Sequence, residues 1–284
     1  ILFFTDKGKV YRLKGYEIPE FSRQSKGIPI VNLLQVEKDE RVNAVIQISR
    51  EENSKYLLFA TEAGVVKKTL ISEFDNIRNS GKICISLREN DKLIGVKKTT
   101  GNDLVLLGSD SGRMVKFNED EIRVMGRTAS GVRGISLDGS KCICSEIVKE
   151  EDTILLVTEK GYGKQTKVSE YRQTRRGSKG VKAMNITEKN GNLVSVKIVH
   201  KGKELVIMTN SGMTMRMPLD QISVLGRVTQ GLRLINLKDN QKVSTISLVD
   251  KPEEETSEEN IEQSENVAQN APEVAENIQN TEAE

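Results

Sequence analysis

Apolar and polar positions alternate along this chain in a pattern that returns about every 50 residues. The unit reads most plainly at 153–199. Thr153–Thr158 (TILLVT) is apolar and β-branched, which predicts a buried strand. Glu159-Lys160-Gly161 predicts a turn, with glycine supplying a positive φ. Gly163–Lys167 predicts a polar, basic strand, and Val168–Lys179 a long connection. Gly180–Ile186 (GVKAMNI) alternates and Leu193–Val199 closes the unit, so each unit is expected to hold four strands. The same alternation recurs at Ile28–Leu33, Ile83–Leu87, Val132–Leu137 and Leu232–Leu237. Period-2 parity turns their apolar residues inward and Lys182, Arg133 and Arg233 outward. Pro29 marks a sheet edge or a strand start in the first of them.

Glycines give the register. The turn glycines Gly8, Gly64, Gly112, Gly161 and Gly212 are spaced by 56, 48, 49 and 51 residues. A second set, Gly27, Gly81, Gly131, Gly180 and Gly231, follows at 19, 17, 19, 19 and 19 residues. Strand-type units at this period point to radial repetition, as in a propeller. One blade cannot bury both of its faces, so neighbours must stack.

Charge changes the picture more than composition does. The net charge of +2 over 284 residues hides a division. Residues 251–284 carry 11 Glu and one basic residue, which leaves 42 basic and 30 acidic residues, a net +12, in residues 1–250. The expected organisation is a β domain over 1–250 and a disordered acidic tail over 251–284, too poor in apolar residues to offset its ordering entropy. A basic body points to a polyanion partner. No run of 18 apolar residues and no signal peptide is present. The chain opens inside a strand without Met, which reads as a segment of a longer protein. Cys142 and Cys144, two apart, are expected to share a strand face, and with Cys84 to be small buried residues.

Cations recur in register. Four residues after the turn glycine stand Arg12, Lys68, Lys116 and Arg216, with Gln165 in the fourth repeat between Lys164 and Lys167. Four residues before the second glycine stand Arg23, Arg127, Arg176 and Arg227, while the second repeat has Ile77 beside Arg78. With Lys14, Lys26, Lys67, Arg133, Arg175, Lys179 and Arg233, these are the candidate contacts for duplex phosphates. A charge repeated once per blade makes a ring of positive potential, which suits sequence-independent binding. Aromatic residues are 4% of the chain and do not interleave with the basic loops, which argues against a single-strand stacking platform. No P-loop, dinucleotide fingerprint, HExxH or EF-hand is present. The one His, His200, reads as a solvated turn residue, and Tyr171 as packing.

The stretch Thr174-Arg175-Arg176-Gly177-Ser178-Lys179-Gly180 resembles the Gln-Arg-Arg-Gly-Gly-Lys-Gly box of the DNA gyrase A protein, with Thr174 for Gln and Ser178 for Gly. Residues 3–11, 29–34, 161–164, 125–134 and 225–231 also look like that family's C-terminal domain, and the resemblance covers residues 1–250. It implies an all-β, six-bladed β-pinwheel with four-stranded blades that binds and bends double-stranded DNA around its rim. It further implies a non-catalytic part of an ATP-dependent type II topoisomerase that introduces negative supercoils. The implied partners are the rest of the gyrase A protein and the gyrase B protein in an A2B2 holoenzyme, in the bacterial cytoplasm and nucleoid. By the same resemblance this chain uses no cofactor, and ATP and Mg2+ belong to other parts. The family's full box lies in the first blade, upstream of the segment matching Phe3–Tyr11. It is therefore expected before Ile1, and Thr174–Gly180 is a box-like loop of a later blade. Two alternatives stay open: a topoisomerase IV C-terminal domain that guides DNA without full wrapping, and a protein-interaction propeller. A Kelch period is similar, but this chain has no Trp and no Gly-Gly doublet in every unit.

The tail's 11 Glu can compete with DNA for the basic body. Deleting 252–284 is then expected to tighten duplex binding at low salt, checked by fluorescence anisotropy; unchanged affinity rules the competition out.

Overall fold

The computed structural model describes residues 1–49, 54–238 and 240–251. Apart from Lys251, the expected acidic tail lies outside the described residues. The compact unit runs over Ile1–Val249.

Repeat 1 supplies β1 (Leu2–Thr5), β2 (Lys9–Arg12) and β3 (Val42–Ile46). Repeat 2 supplies β4 (Tyr56–Thr61), β5 (Val65–Leu70), β6 (Lys82–Ile83) and β7 (Leu93–Thr99). Repeat 3 follows with β8 (Leu104–Ser109), β9 (Arg113–Asn118), β10 (Val132–Arg133) and β11 (Cys142–Val148). Repeat 4 gives β12 (Thr153–Thr158), β13 (Tyr162–Lys167), β14 (Val181–Lys182) and β15 (Leu193–Ile198). Repeat 5 ends with β16 (Lys203–Thr209), β17 (Thr214–Pro218), β18 (Leu232–Arg233) and β19 (Val243–Asp250).

These strands form five sheets, ordered β3-β1-β2-β6, β10-β5-β4-β7, β11-β8-β9-β14, β15-β12-β13-β18 and β17-β16-β19. The resemblance implied six blades; the described residues hold five, and the fifth is three-stranded. Repeats 2–5 hold the expected four strands each, but the four strands of one repeat do not all lie in one blade. The short third strand of each later repeat pairs with the second strand of the repeat before it: Val10 with Lys82, Val66 with Val132, Met114 with Val181, and Gly163 with Leu232. A blade is therefore finished by its successor. The exchanged strand is only two residues long. Beyond it the chain leaves the ladder, and the amides of Cys84, Gly134, Ala183 and Leu234 donate to the carbonyls of the turn glycines Gly8, Gly64, Gly112 and Gly161 at 2.8 Å each. The strand expected at Ile28–Leu33 is absent. Repeat 1 has no preceding blade in this sequence to pair with, and Ile30–Asn32 winds instead into a 3-10 turn after Pro29.

The first strand of each inner repeat is buried on both faces because both faces are interfaces. Leu57 and Phe59 face blade 1 while Leu58 and Ala60 face blade 3. Leu155 and Val157 face blade 5 while Ile154 and Leu156 face blade 3. Four core clusters thus lie between two blades, while a smaller one around Phe3, Tyr11 and Leu34 is built from repeat 1 alone. Between blades 1 and 2, Phe4, Phe59 and Phe74 meet at centroid distances of 5.6–6.0 Å. Strands β3, β7, β11 and β15 converge on a cavity of about 310 Å³, where the buried Glu146 takes Lys97 at 2.6 Å and Lys197 at 3.8 Å.

The two neighbouring cysteines do not share a face. A bulge between Cys142 and Cys144 shifts the β11 register against β8, inserting one residue and reversing parity. Cys142 enters the core between blades 2 and 3, and Cys144 the core between blades 3 and 4. All three cysteines are free and buried.

One glycine shows how tightly loop and blade meet. Gly180 has φ +67°, and a Cβ there would lie 2.1 Å from the Met114 carbonyl oxygen of the preceding blade. Gly27, the matching glycine of repeat 1, has φ +63° with no neighbour within 4 Å among the described residues. Gly180→Ala is expected to lower unfolding free energy by about 3 kcal/mol, clash added to φ strain. Gly27→Ala is expected to cost only the φ term, about 1 kcal/mol. Urea unfolding of both variants checks the difference.

Candidate nucleic-acid interface

In the first four repeats the residue four places after the turn glycine is a donor between blades before it is a charge. Lys68 Nζ donates to the Glu119 carbonyl at 2.9 Å, Lys116 Nζ to that of Val168 at 3.3 Å, and Gln165 Nε2 to that of Leu219 at 2.8 Å. Each acceptor is the first residue of the 3-10 turn of the following repeat. Arg12 also reaches the following repeat, at the Asp75 carbonyl just past its 3-10 turn. The one uncharged member of the series, Gln165, is thereby explained: the position needs an N–H, not a cation. Lys68 and Lys116 are buried, and Lys116 is further paired with Glu150 at 2.7 and 2.8 Å.

Lys67 and Lys164 are also buried, and neither reaches the surface. Lys67 Nζ donates to the carbonyls of Cys84 and of Arg127, the latter at 2.5 Å, and lies 4.8 Å from the Phe59 ring centre. Lys164 Nζ donates to the carbonyls of Gly226 and Arg227 at 2.7 Å each and to Thr229 Oγ1 at 3.1 Å. Burial pulls both ammonium groups down to about 8. Four expected surface contacts, Lys67, Lys68, Lys116 and Lys164, are thus interior. Charge alone misplaces them, because their strands lie between stacked blades and have no solvent face.

The arginines before the second glycine form a second series. Arg127 Nη1 donates to the Ile83 carbonyl at 2.8 Å, Arg176 Nη1 to that of Arg133 at 3.1 Å, and Arg227 Nη1 to that of Lys182. Each lays a loop of one repeat over the exchanged strand of the repeat before. The loops are tied along their length, since the amides of Met125, Thr174 and Leu225 donate to the carbonyls of Lys68, Lys116 and Gln165 at 2.8, 2.7 and 2.8 Å. Glu121 Oε2 accepts the Arg176 amide at 3.0 Å, and Glu170 Oε2 that of Arg227 at 2.8 Å. These three guanidinium groups are half-buried, with N–H groups left over.

In the box-like loop, Thr174 and Ser178 face each other at 3.2 Å between hydroxyls, and Gly177 donates to the Gly134 carbonyl at 2.6 Å. Gly180 closes it against blade 3. Arg175 and Lys179 are exposed, and Lys179 holds the Asp138 carboxyl, 2.7 Å away, below the usual carboxylate range. Asn118, Asp120, Glu121, Gln173, Arg175 and Arg176 line an open groove of about 730 Å³ beside this loop.

Arg12, Lys14, Arg23, Lys26, Arg78, Arg133, Lys167, Arg216 and Arg233 are exposed as expected. Arg216 is paired with Glu204, and Arg233 Nη2 donates to the Tyr162 hydroxyl at 3.0 Å. Tyr171 is fully buried and His200 exposed. Sequence reading missed a basic hollow around Tyr162, where Lys160, Lys189, Lys238 and Lys242 join Arg233. Its signal was present as lysines beside the turn glycine and after the exchanged strand.

Five stretches, 1–49, 55–100, 103–143, 152–200 and 203–250, match the family described as DNA gyrase C-terminal domain, beta-propeller. The chain belongs to that family. The matched stretches follow the five repeats. This gyrase C-terminal domain is 46% identical over 258 residues to the DNA gyrase A protein of Staphylococcus epidermidis (strain ATCC 12228 / FDA PCI 1200), covering 89% of this chain and 29% of that one. It is 44% identical over 277 residues to the DNA gyrase A protein of Staphylococcus aureus (strain MRSA252), covering 96% and 31%. The chain therefore spans about a third of the length of these relatives. In fold it is similar to a solved C-terminal domain of DNA topoisomerase IV (TM-score 0.81, 24% identity, 88% of this chain and 78% of that one). It is also similar to one of DNA gyrase A (TM-score 0.73, 24% identity, 87% and 81%). Among the described residues no helix is long and apolar enough to cross a membrane.

A lysine held at about 8 when folded and at its ordinary 10.5 when unfolded releases a proton on folding between those values. Stability from Lys67 and Lys164 therefore rises with pH above about 8 and is flat below it. The stability of the wild type relative to the double variant Lys67→Met, Lys164→Met is expected to rise from pH 8 to 9.5 in urea unfolding. Comparing the two cancels the opposing titration of Cys142, whose thiol burial pushes up to about 12, and the single variant Lys164→Met leaves Cys84, which faces Lys67, untouched.

Proposed function

We propose that this gyrase C-terminal domain binds double-stranded DNA without sequence preference and bends it along the loops that join successive blades. The observation carrying this reading is the repeated placement of half-buried Arg127, Arg176 and Arg227 beside exposed Arg133, Arg175, Lys179 and Arg233. Each half-buried guanidinium is oriented by a backbone carbonyl and keeps N–H groups for phosphate oxygens. Residues 1–250 carry a net +12, which supplies affinity through counterion release. Bending a short duplex by 40–90° costs about 1–6 kcal/mol, so contacts from several blades are needed to offset it.

In the holoenzyme this domain would present a bent segment to the parts of the gyrase A and B proteins that carry out ATP- and Mg2+-dependent strand passage, and the outcome would be negative supercoiling. The chain itself would take part as a DNA-guiding module without chemistry of its own, in the bacterial cytoplasm with the nucleoid. Relatives at 44–46% identity that carry the gyrase A name favour this reading over topoisomerase IV, to which the likeness is one of fold. The interaction-propeller reading has no comparable support.

The test is anisotropy of this chain with duplexes of increasing length across a salt series. Affinity is expected to rise with length beyond the reach of one blade, with log affinity falling by about 0.9 per phosphate contact per decade of salt. Saturation on a short duplex would reduce the reading to one local patch. Salt-independent or absent binding would overturn it.

A further inference from the structure

The two fully buried lysines fall at one place in the repeat, three residues after the turn glycine, and only in blades 2 and 4. Tyr11, Val115 and Met215 stand there in blades 1, 3 and 5. Among the described residues neither ammonium has a carboxylate within ion-pair distance; each donates to carbonyls of the following repeat's loop. The acceptors include the peptide carbonyls of Arg127 and Arg227, and Gly226 stands beside the latter. Those arginines are also fixed at the other end, through Nη1 to the Ile83 and Lys182 carbonyls. Backbone and guanidinium of each are therefore tied separately, which fixes the direction of their remaining N–H groups.

Burying an ammonium without a counter-ion is costly, and an apolar side chain of the same length would fill the space at no such cost. Blade 3 has Val115 at this place, and the loop carrying Arg176 is tied by Glu121, whose carboxylate takes the Arg176 amide and whose carbonyl takes Nε; the loop carrying Arg227 has the matching Glu170 carboxylate on its amide and Lys164 in addition. The loop carrying Arg127 has no such carboxylate contact among its described bonds. The groups facing Lys67 are the Cys84 thiol, Arg127 and Glu73, and those facing Lys164 are Glu170 and Arg227.

We propose that Lys67 and Lys164 are positioning residues for DNA binding: from inside the fold they orient the loops whose arginines, Arg127 and Arg227, meet phosphate. This rests on the DNA-binding reading above. The lysines touch no DNA themselves, so their effect must pass through those two arginines.

The test compares the wild-type chain with the double variant Lys67→Met, Lys164→Met, the double variant Arg127→Ala, Arg227→Ala, and all four changes together. Two readouts are used: duplex affinity across a salt series, and hydrogen exchange of three equivalent loop amides, Met125, Leu225 and Thr174. The lysine variant is expected to lose affinity about tenfold and to show a salt slope shallower by about two phosphate contacts. Combining it with the arginine changes is expected to add almost nothing, as for groups acting through one another. Met125 and Leu225 are expected to exchange more than tenfold faster, while Thr174, whose loop has Val115 in place of the substituted lysines, keeps its rate. A purely structural lysine would change thermal stability without this pattern. Unchanged affinity, or losses that add fully to those of the arginine variant, overturn the proposal. Where the wild type binds no duplex at all, the function proposed above fails, and the clamp is judged on exchange alone: faster Met125 and Leu225 support it, and unchanged rates overturn it.

Discussion

Every blade but the last is completed by the repeat that follows it. The exchanged strand is two residues long, too short to hold a sheet edge by its ladder alone. It persists because the same repeat then bonds the turn glycine, the second strand and the residue four places beyond that glycine in its neighbour. Strand exchange, inter-blade cores and rim loops are thus one constraint. A loop cannot leave the rim without unpairing a strand and uncovering a core, and the cationic loops owe their fixed poses to that coupling.

The same constraint divides the lysines from the arginines. A lysine's point charge on a long apolar stem can lie along a core and end on carbonyls, whereas a guanidinium can donate to a carbonyl and still offer N–H groups outward. Lys67, Lys68, Lys116 and Lys164 point inward, while Arg127, Arg176 and Arg227 bridge loop and surface. Charge alone is a poor guide to the interface here, and the number of carbonyls near each group is a better one.

Much of the fold was legible because glycine positions and strand alternation are local signals. The turn at Gly161 and the burial of Thr153–Thr158 follow from residue type and period alone. What escaped reading is non-local. Nothing in Val181-Lys182 says that its partner is Met114 rather than its own repeat. Residue type cannot reveal that a strand has two buried faces, so Lys67 was counted among the phosphate contacts. The bulge that separates Cys142 from Cys144 needs one extra residue in one strand, visible only against its partner. Gln165 looked like a gap in a charged series until its acceptor, the Leu219 carbonyl, was in view.

Borrowing a strand from the successor gives the stack a direction. Blade n leans on repeat n+1 more than repeat n+1 leans on blade n. Pulled from the C-terminal side, the described blades would give up blade 5 first, which borrows no strand among the described residues, and each repeat drawn away would strip the outer strand from the blade behind it. Pulled from the other side, repeat 1 would come off while blade 2 keeps all four strands. The five described blades therefore resist tension unequally in the two directions, like a zip with teeth cut on a slant.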